Sequence, residues 1–261
     1  MQTPPLSLSS DERLDRVNEQ ILLIQKKDGL TFGTDAFLLA SFVRPEPSSR
    51  GVDLGSGSGI LPLLLLTKGK VASMSAIEIQ PAFADLIRRN ASLNQKEDAI
   101  RVLEKDLREV KTADLGGESD LILSNPPYMK ADSGKQNRVR EKNLARHEIA
   151  GSIFDFCAAA NRLLKYGGRF YIVYRPDRIA DLFSSLRESR LEPKRMTMVY
   201  PDETSEPCLT LVEAVKGAAP SLKITRPLFL YTKASKNSQT RELTPDASRI
   251  YATSSFSDFE S

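Results

Sequence analysis

Val52-Asp53-Leu54-Gly55-Ser56-Gly57-Ser58-Gly59-Ile60 is the stretch whose reading decides the fold. An apolar run meets glycine at three alternate positions and passes into a second apolar run, Ile60 to Leu66. This is the pattern of a strand, a tight turn and a helix. Without side chains in the way, the backbone N–H groups of such a turn can approach a ligand closely. The spacing G-x-G-x-G differs from a dinucleotide-binding turn, which requires glycine where Ile60 stands, and no phosphate-loop lysine follows. Phosphate cradling is disfavoured; taken alone, the motif is also compatible with a plain tight turn.

Working outward, short apolar runs alternate with amphipathic segments. Strands are expected at Gly51 to Leu54, Met74 to Ile79, Ile100 to Glu104, Asp120 to Ser124 and Arg169 to Tyr174. Helices are expected at Ile60 to Thr67, Pro81 to Asn94 and Ile149 to Leu164. That alternation specifies an α/β protein with a parallel sheet wrapped by helices. In the last helix Ile149, Ile153, Phe156, Ala160 and Leu163 share one face, read as core and not as a site, and Gly167-Gly168 reads as its stop. Met196 to Tyr200 and Cys208 to Val215, with no crossover helix between them, read as an antiparallel hairpin added to the sheet. Ahead of the glycine turn stands a strand-like Gln20 to Gln25 and a helix Ala36 to Phe42 that Thr34 or Asp35 would cap. Residues 1–45 are expected to form a segment packed on a catalytic domain of residues 46–252, covering either a bound ligand or the sheet edge. The serine-rich 253–261 is expected to fray.

Bulk composition narrows the chemistry. The 261 residues are 40% apolar and 27% charged, and no run approaches the roughly 20 apolar residues of a membrane span. The N-terminus lacks the basic start and apolar run of a signal peptide, so a cytoplasmic, monomeric protein with no membrane partner is expected. Cys157, Cys208 and the single His147 do not make a metal cluster or a disulfide framework, so no metal is expected. A net charge of +3 leaves any nucleic-acid contact to local patches.

Two carboxylates follow the glycine turn at strand ends. Glu78, 23 positions beyond Gly55, stands where a doubly wound fold places the acid that takes two ribose hydroxyls. Asp106 ends the third strand region, where it could accept from an adenine amino group. Together with the glycine turn they outline an adenosine pocket. The fourth strand runs into Ser124-Asn125-Pro126-Pro127-Tyr128. Two prolines stiffen this turn, so the Asn125 side chain and the Pro126 carbonyl can be held as fixed acceptors, with Tyr128 beside them. An sp2 nitrogen is a poor nucleophile because its lone pair is delocalised. Acceptors gripping its hydrogens favour the pyramidal transition state while the aromatic ring stacks on the planar group.

These motifs, D-x-G-x-G-x-G, the strand-end acid and N-P-P-Y, resemble the class I S-adenosylmethionine (SAM) dependent N-methyltransferases. From about Arg13 to Tyr251 the chain resembles the family that methylates N6 of the adenosine 3′ of the anticodon in valine tRNA. The family's Q-x-x-x-G-x-x-F-G-T-D-A-x-L-L-A is met by residues 25–40, from Gln25 through Gly29, Phe32, Gly33, Thr34 and Asp35 to Ala40. The resemblance implies a Rossmann-like, mostly parallel seven-stranded sheet with a C-terminal antiparallel hairpin and helices on both faces. It further implies SAM as cofactor, with S-adenosylhomocysteine as product, and tRNA as partner. Gly33, Thr34 and Asp35 would then lie at the methionine end of the cofactor, and Asp53, Gly55 and Gly57 would line it. Glu78 would hold the ribose and Asp106 the adenine. Asn125, Pro126, Pro127 and Tyr128 would take the target base, with Asn125 also beside the cofactor. Downstream, Lys130, Lys135, Arg138, Arg140, Lys142 and Arg146 read either as a solvated loop or as a basic lip for RNA backbone. N-P-P-Y is shared with other amino-group methyltransferases. A glutamine N5 protein methyltransferase, an rRNA amino-group methyltransferase and a non-catalytic SAM-binding RNA chaperone therefore remain alternatives.

Overall fold

The computed structural model describes residues 8–27, 33–127, 151–232 and 241–259. A two-stranded hairpin, β1 (Glu12–Arg16) and β2 (Leu22–Lys26), leads to helix α1 (Thr34–Phe42). The alternating unit is β3 (Arg50–Leu54), α2 (Ile60–Thr67), β4 (Ser73–Glu78), α3 (Pro81–Leu93), β5 (Ile100–Glu104) and β6 (Ser119–Ser124). Then come α4 (Ile153–Leu163), β7 (Leu164–Tyr174), α5 (Ile179–Glu188), β8 (Leu191–Tyr200) and β9 (Leu209–Lys216). Two-residue strands β10 (Lys223–Ile224) and β11 (Leu228–Phe229) and helix α6 (Pro245–Thr253) complete the described chain.

The sheet order is β10-β8-β9-β7-β6-β3-β4-β5, with β11 also pairing β8. Strands β7 to β5 are mutually parallel, and β9 runs antiparallel between β7 and β8. The expected seven-stranded sheet with its antiparallel hairpin is thus present, extended at one edge by β10 and β11. The chain winds outward from β3 through β4 to β5 and then returns to β6 on the other side of β3. This reversal opens a crevice at the carboxyl ends of β3 and β6. Successive residues join opposite faces: Leu121 and Leu123 one core, Ile122 the other; Tyr171 and Val173 one, Phe170 and Ile172 the other. Helices α1, α2, α3 and α6 cover the first face, α4 and α5 the second.

Three expectations are corrected. The α1 N-cap is Gly33, not Thr34 or Asp35, and it has no side chain to cap with; Asp35, inside the first turn, accepts from the Ala36 N–H instead. The α4 helix ends at Leu163, and Gly167-Gly168 lie inside β7, at an irregularity between the Ser119 and Leu121 pairings with β6. A Cβ at Gly168 would stand 3.0 Å from the Asp120 carbonyl oxygen, so glycine serves strand approach here and not helix termination. The tail from residue 253 does not fray through Phe259. Phe256 and Phe259 are buried, Phe256 packing edge-on against Phe42 and Phe259 lying under the Arg226 guanidinium. Two aromatics in a serine-rich tail supply enough apolar surface to dock it.

The N-terminal segments are attached through polar groups. On α3, the buried Asn90 amide pairs with both backbone groups of Ile24 and donates to the Ser58 carbonyl, while Asn94 pairs with both backbone groups of Leu22. Two side-chain amides thereby stand in for a neighbouring strand. The α1 C-terminus is held by buried cations: Lys70 Nζ donates to the Ala40, Ser41 and Val43 carbonyls at 2.7–3.0 Å, and Arg195 donates to the Phe42 carbonyl at 2.6 Å. Arg195 also pairs with Glu213 at 2.8 Å and lies over the Phe42 ring. These donors meet the orphan carbonyls and the negative end of the helix dipole.

Glu12, with only 3% of its side chain exposed, takes both Arg89 terminal nitrogens at 2.8–2.9 Å. The Arg89 hydrogen bonds hold its carboxyl at about 2, against an ordinary 4.5 and in opposition to burial. A depressed folded-state pKa contributes stability that is complete above 4.5 and lost as pH falls towards 2. Glu12→Gln is therefore expected to cost on the order of 3 kcal/mol at neutral pH. Denaturant unfolding should show that gap narrowing as pH falls from 4.5 towards 2. A gap independent of pH would contradict the assignment.

Candidate functional site

The glycine turn is fixed by its own backbone. Gly55, Gly57 and Gly59 all adopt positive φ, +72°, +56° and +79°, where side chains are strained. The Gly55 and Ser56 N–H groups donate to the Ile77 carbonyl at 3.0 Å, and the Gly57 N–H donates to the Glu78 carboxylate at 2.9 Å. A Cβ added at Gly57 would meet nothing within 4 Å, so this turn faces open space, whereas one at Gly59 would press Ile87 at 3.0 Å. Gly59 serves packing of α2 on α3. Gly57 faces the cleft.

That cleft has two lobes. One, about 90 Å³, is walled by Ile79, Leu107 and Phe156 and carries the Glu78 and Asp106 carboxylates. The other, about 140 Å³, runs past Gly33 and Asp35 to Pro126. Gly55, Gly57, Phe83, Asn125 and Pro127 line both. Between the lobes, Asn125 Nδ2 donates to Asp35 Oδ2 at 2.9 Å, joining the β6 turn to the first turn of α1. Glu78 is buried, and its second oxygen accepts from the Gln80 N–H at 2.9 Å. The Arg108 guanidinium grips both Asp106 oxygens and holds its carboxyl below the usual carboxylate range.

Asp53 lies beneath the turn, fully buried, and accepts from the Ser56 hydroxyl. Burial pushes its carboxyl up to about 7; the Ser56 bond opposes the shift and the nearby Glu78 charge adds to it. Its Oδ1 has no protein partner among the described residues. The donor set fits an adenosyl group bearing a cationic end. An apolar slot suits the purine, two carboxylates at strand ends suit hydroxyl and amino hydrogens, and an open glycine edge lies alongside.

Of the sequence candidates, Gly33, Asp35, Gly55, Gly57, Glu78, Asp106, Asn125, Pro126 and Pro127 line one or both lobes. Asp53 supports the turn from below and does not line the cleft. Thr34 faces elsewhere, into a groove of about 790 Å³ between α1, the β1–β2 turn and α6, beside the stacked Phe37 and Tyr251 rings. Tyr128 and the basic residues Lys130 to Arg146 lie outside the described residues. Sequence reasoning missed Phe83; Phe156 is core as its helical stripe indicates, and it also lines the smaller lobe. It also missed Asn90, which reaches the turn through the Ser58 carbonyl.

Glu78→Ala removes the carboxylate proposed for the ribose and the acceptor for Gly57. SAM binding is expected to weaken by roughly 1.5–3 kcal/mol, the range for hydrogen bonds to a charged group. Isothermal titration giving wild-type affinity would take Glu78 out of the cofactor site.

The methyltransferase small domain family matches residues 26–187. The tRNA1(Val) (adenine(37)-N6)-methyltransferase of Porphyromonas gingivalis is 31% identical over 187 residues, covering 69% of this chain and 72% of the relative. That of Bacteroides fragilis is 30% identical over 195 residues, covering 74% and 81%. Among solved structures, a predicted O-methyltransferase from Agrobacterium tumefaciens superposes with a TM-score of 0.66 at 22% identity. It covers 85% of this chain and 97% of that one, and at this identity the likeness is one of fold. The TYW2 protein of M. jannaschii, solved with AdoMet, gives 0.53 at 14% identity over 81% and 89%. Family match and relatives together place the chain in the methyltransferase small domain family, as a SAM-dependent methyltransferase similar to the proteins named tRNA1(Val) (adenine(37)-N6)-methyltransferase.

Proposed function

We propose that the chain transfers the methyl group of SAM to the exocyclic N6 of an adenine in tRNA, the anticodon-loop adenosine 3′ of the anticodon of valine tRNA, acting as a cytoplasmic monomer. The relatives' names support the substrate. The observation that carries the chemistry is the place of Asn125: it lines both lobes, and its amide is tied to Asp35. SAM, when bound, supplies an electrophilic methyl. In this reading the glycine turn and Glu78 hold the ribose side of the cofactor, and Asp106 turns from Arg108 to share the adenine amino group. The Asn125 side-chain oxygen and the Pro126 carbonyl accept the two hydrogens of the target amine, drawing its lone pair out of conjugation toward the methyl carbon. As the nitrogen gains the methyl it gains positive charge, and it sheds one proton to solvent afterwards. Tyr128 stacks on the base, the residues from Lys130 to Arg146 grip the backbone of an unstacked loop, and residues 1–45 close over the cofactor.

The test is incubation with methyl-labelled SAM and, separately, total tRNA, rRNA and total protein, followed by nucleoside and amino-acid analysis. Label is expected in N6-methyladenosine of tRNA. Label in rRNA or glutamine would replace this reading with one of the alternatives, and label nowhere would leave a binding protein. Asn125→Ala is expected to lower turnover by roughly 10²–10³, the scale for losing one preorganised group at a reacting centre. Its SAM affinity should stay near wild type, and turnover surviving within about tenfold would reject the role.

A further inference from the structure

Asp35 accepts two hydrogen bonds with opposite consequences. Its Oδ1 takes the Ala36 N–H at 2.8 Å, which locks the carboxylate against its own helix, and its Oδ2 takes Asn125 Nδ2 at 2.9 Å. A Cβ at position 33 would stand 2.8 Å from Asp35 Oδ1, so Gly33 leaves room for this rotamer. The residue occupies the first turn of α1, where the helix dipole favours an anion. At its far end α1 cannot slide, because Lys70 and Arg195 hold four successive carbonyls from Ala40 to Val43. Asp35 is thus a fixed acceptor at a fixed place.

An amide has a donor end and an acceptor end of nearly equal shape, and only its partners determine which way it faces. Because an aspartate offers acceptors alone, it commits Asn125 Nδ2 to itself and makes Oδ1 the end that can accept from a substrate amine. We propose that Asp35 is a positioning residue that sets the orientation of the Asn125 amide for methyl transfer, a role distinct from the contact with the cofactor that the family resemblance implies. The inference rests on the reading of Asn125 as the acceptor for the target amine. Asparagine at position 35 would satisfy one of the two donors and present its own N–H₂ to the other, inviting the Asn125 amide to turn over.

The experiment compares Asp35→Asn, Asn125→Ala, the two together, and the reciprocal pair Asp35→Asn with Asn125→Asp. Each is assayed for kcat and KM on tRNA, for SAM affinity by titration, and for thermal unfolding. Asp35→Asn is expected to lower kcat by roughly 10²-fold, the scale of a misplaced reacting group. Any loss of SAM affinity should be much smaller than the loss of kcat, and adding Asp35→Asn to Asn125→Ala should cost little more. The reciprocal pair keeps one N–H···O bond with its direction reversed and leaves a carboxylate oxygen for the amine, so part of the lost kcat should return. A role in folding alone would not give that rescue. A loss confined to SAM affinity, with wild-type kcat at saturation, would make Asp35 a cofactor contact and overturn the proposal. Unmoved kcat in Asp35→Asn would also overturn it while leaving the functional reading intact. A wild-type protein that methylates no acceptor would overturn both.

Discussion

Three N–H groups of the glycine turn are bound to the end of β4, two on the Ile77 carbonyl and one on the Glu78 carboxylate, and the placement of the site depends on them. They make the turn fold back over the sheet with Gly55, Gly57 and Gly59 at positive φ, a conformation that glycine adopts without strain. They also engage the carboxylate that would otherwise be an expensive buried charge. Because Glu78 serves the turn before any ligand arrives, the glycine-turn side of the cleft is preorganised. Asp53 beneath the turn belongs to the same unit. It is fully buried and accepts from the Ser56 hydroxyl of the turn.

The N-terminal segments join this centre through polar contacts. Asn90 holds the Ser58 carbonyl with the same amide that pairs with β2, so the hairpin and the glycine turn share one buried group. Helix α1 is anchored at one end by Lys70 and Arg195 and meets Asn125 at the other. A charged residue buried without partners would be destabilising; here each cation answers carbonyls that the helix end would leave unpaired. The segment before the glycine turn is therefore built into the cleft wall through Gly33 and Asp35.

What the sequence made legible follows from which interactions leave periodic traces. Helix α2 and strand β5 fall at the expected residues because continuous apolar runs and a glycine boundary mark them. The cleft residues were legible because glycine, prolines and strand-end acids are locally recognisable. Strand β1, Glu-Arg-Leu-Asp-Arg, was not, since its buried member is a glutamate neutralised by Arg89 far along the chain. Lys70 and Arg195 likewise carry no mark of burial in the sequence, since their carbonyl partners are brought to them only by the fold. Gly167-Gly168 carries the composition of a helix stop, yet a positive φ at Gly167 and crowding of Gly168 against the Lys165 and Asp120 carbonyls are what require it. Phe156 sits at the core spacing of α4, and nothing in that spacing reveals that its ring edge borders the cleft.

The central claim is that the two lobes form one cofactor site, joined at Asn125 and closed on one side by α1. Hydrogen–deuterium exchange with and without SAM tests it most directly. The account predicts slowed exchange at the amides of Ser56 to Ser58 and Lys105 to Leu107 together with those of Asp35, Ala36 and Asn125. Protection confined to the first group, with α1 and the β6 turn unchanged, would contradict it.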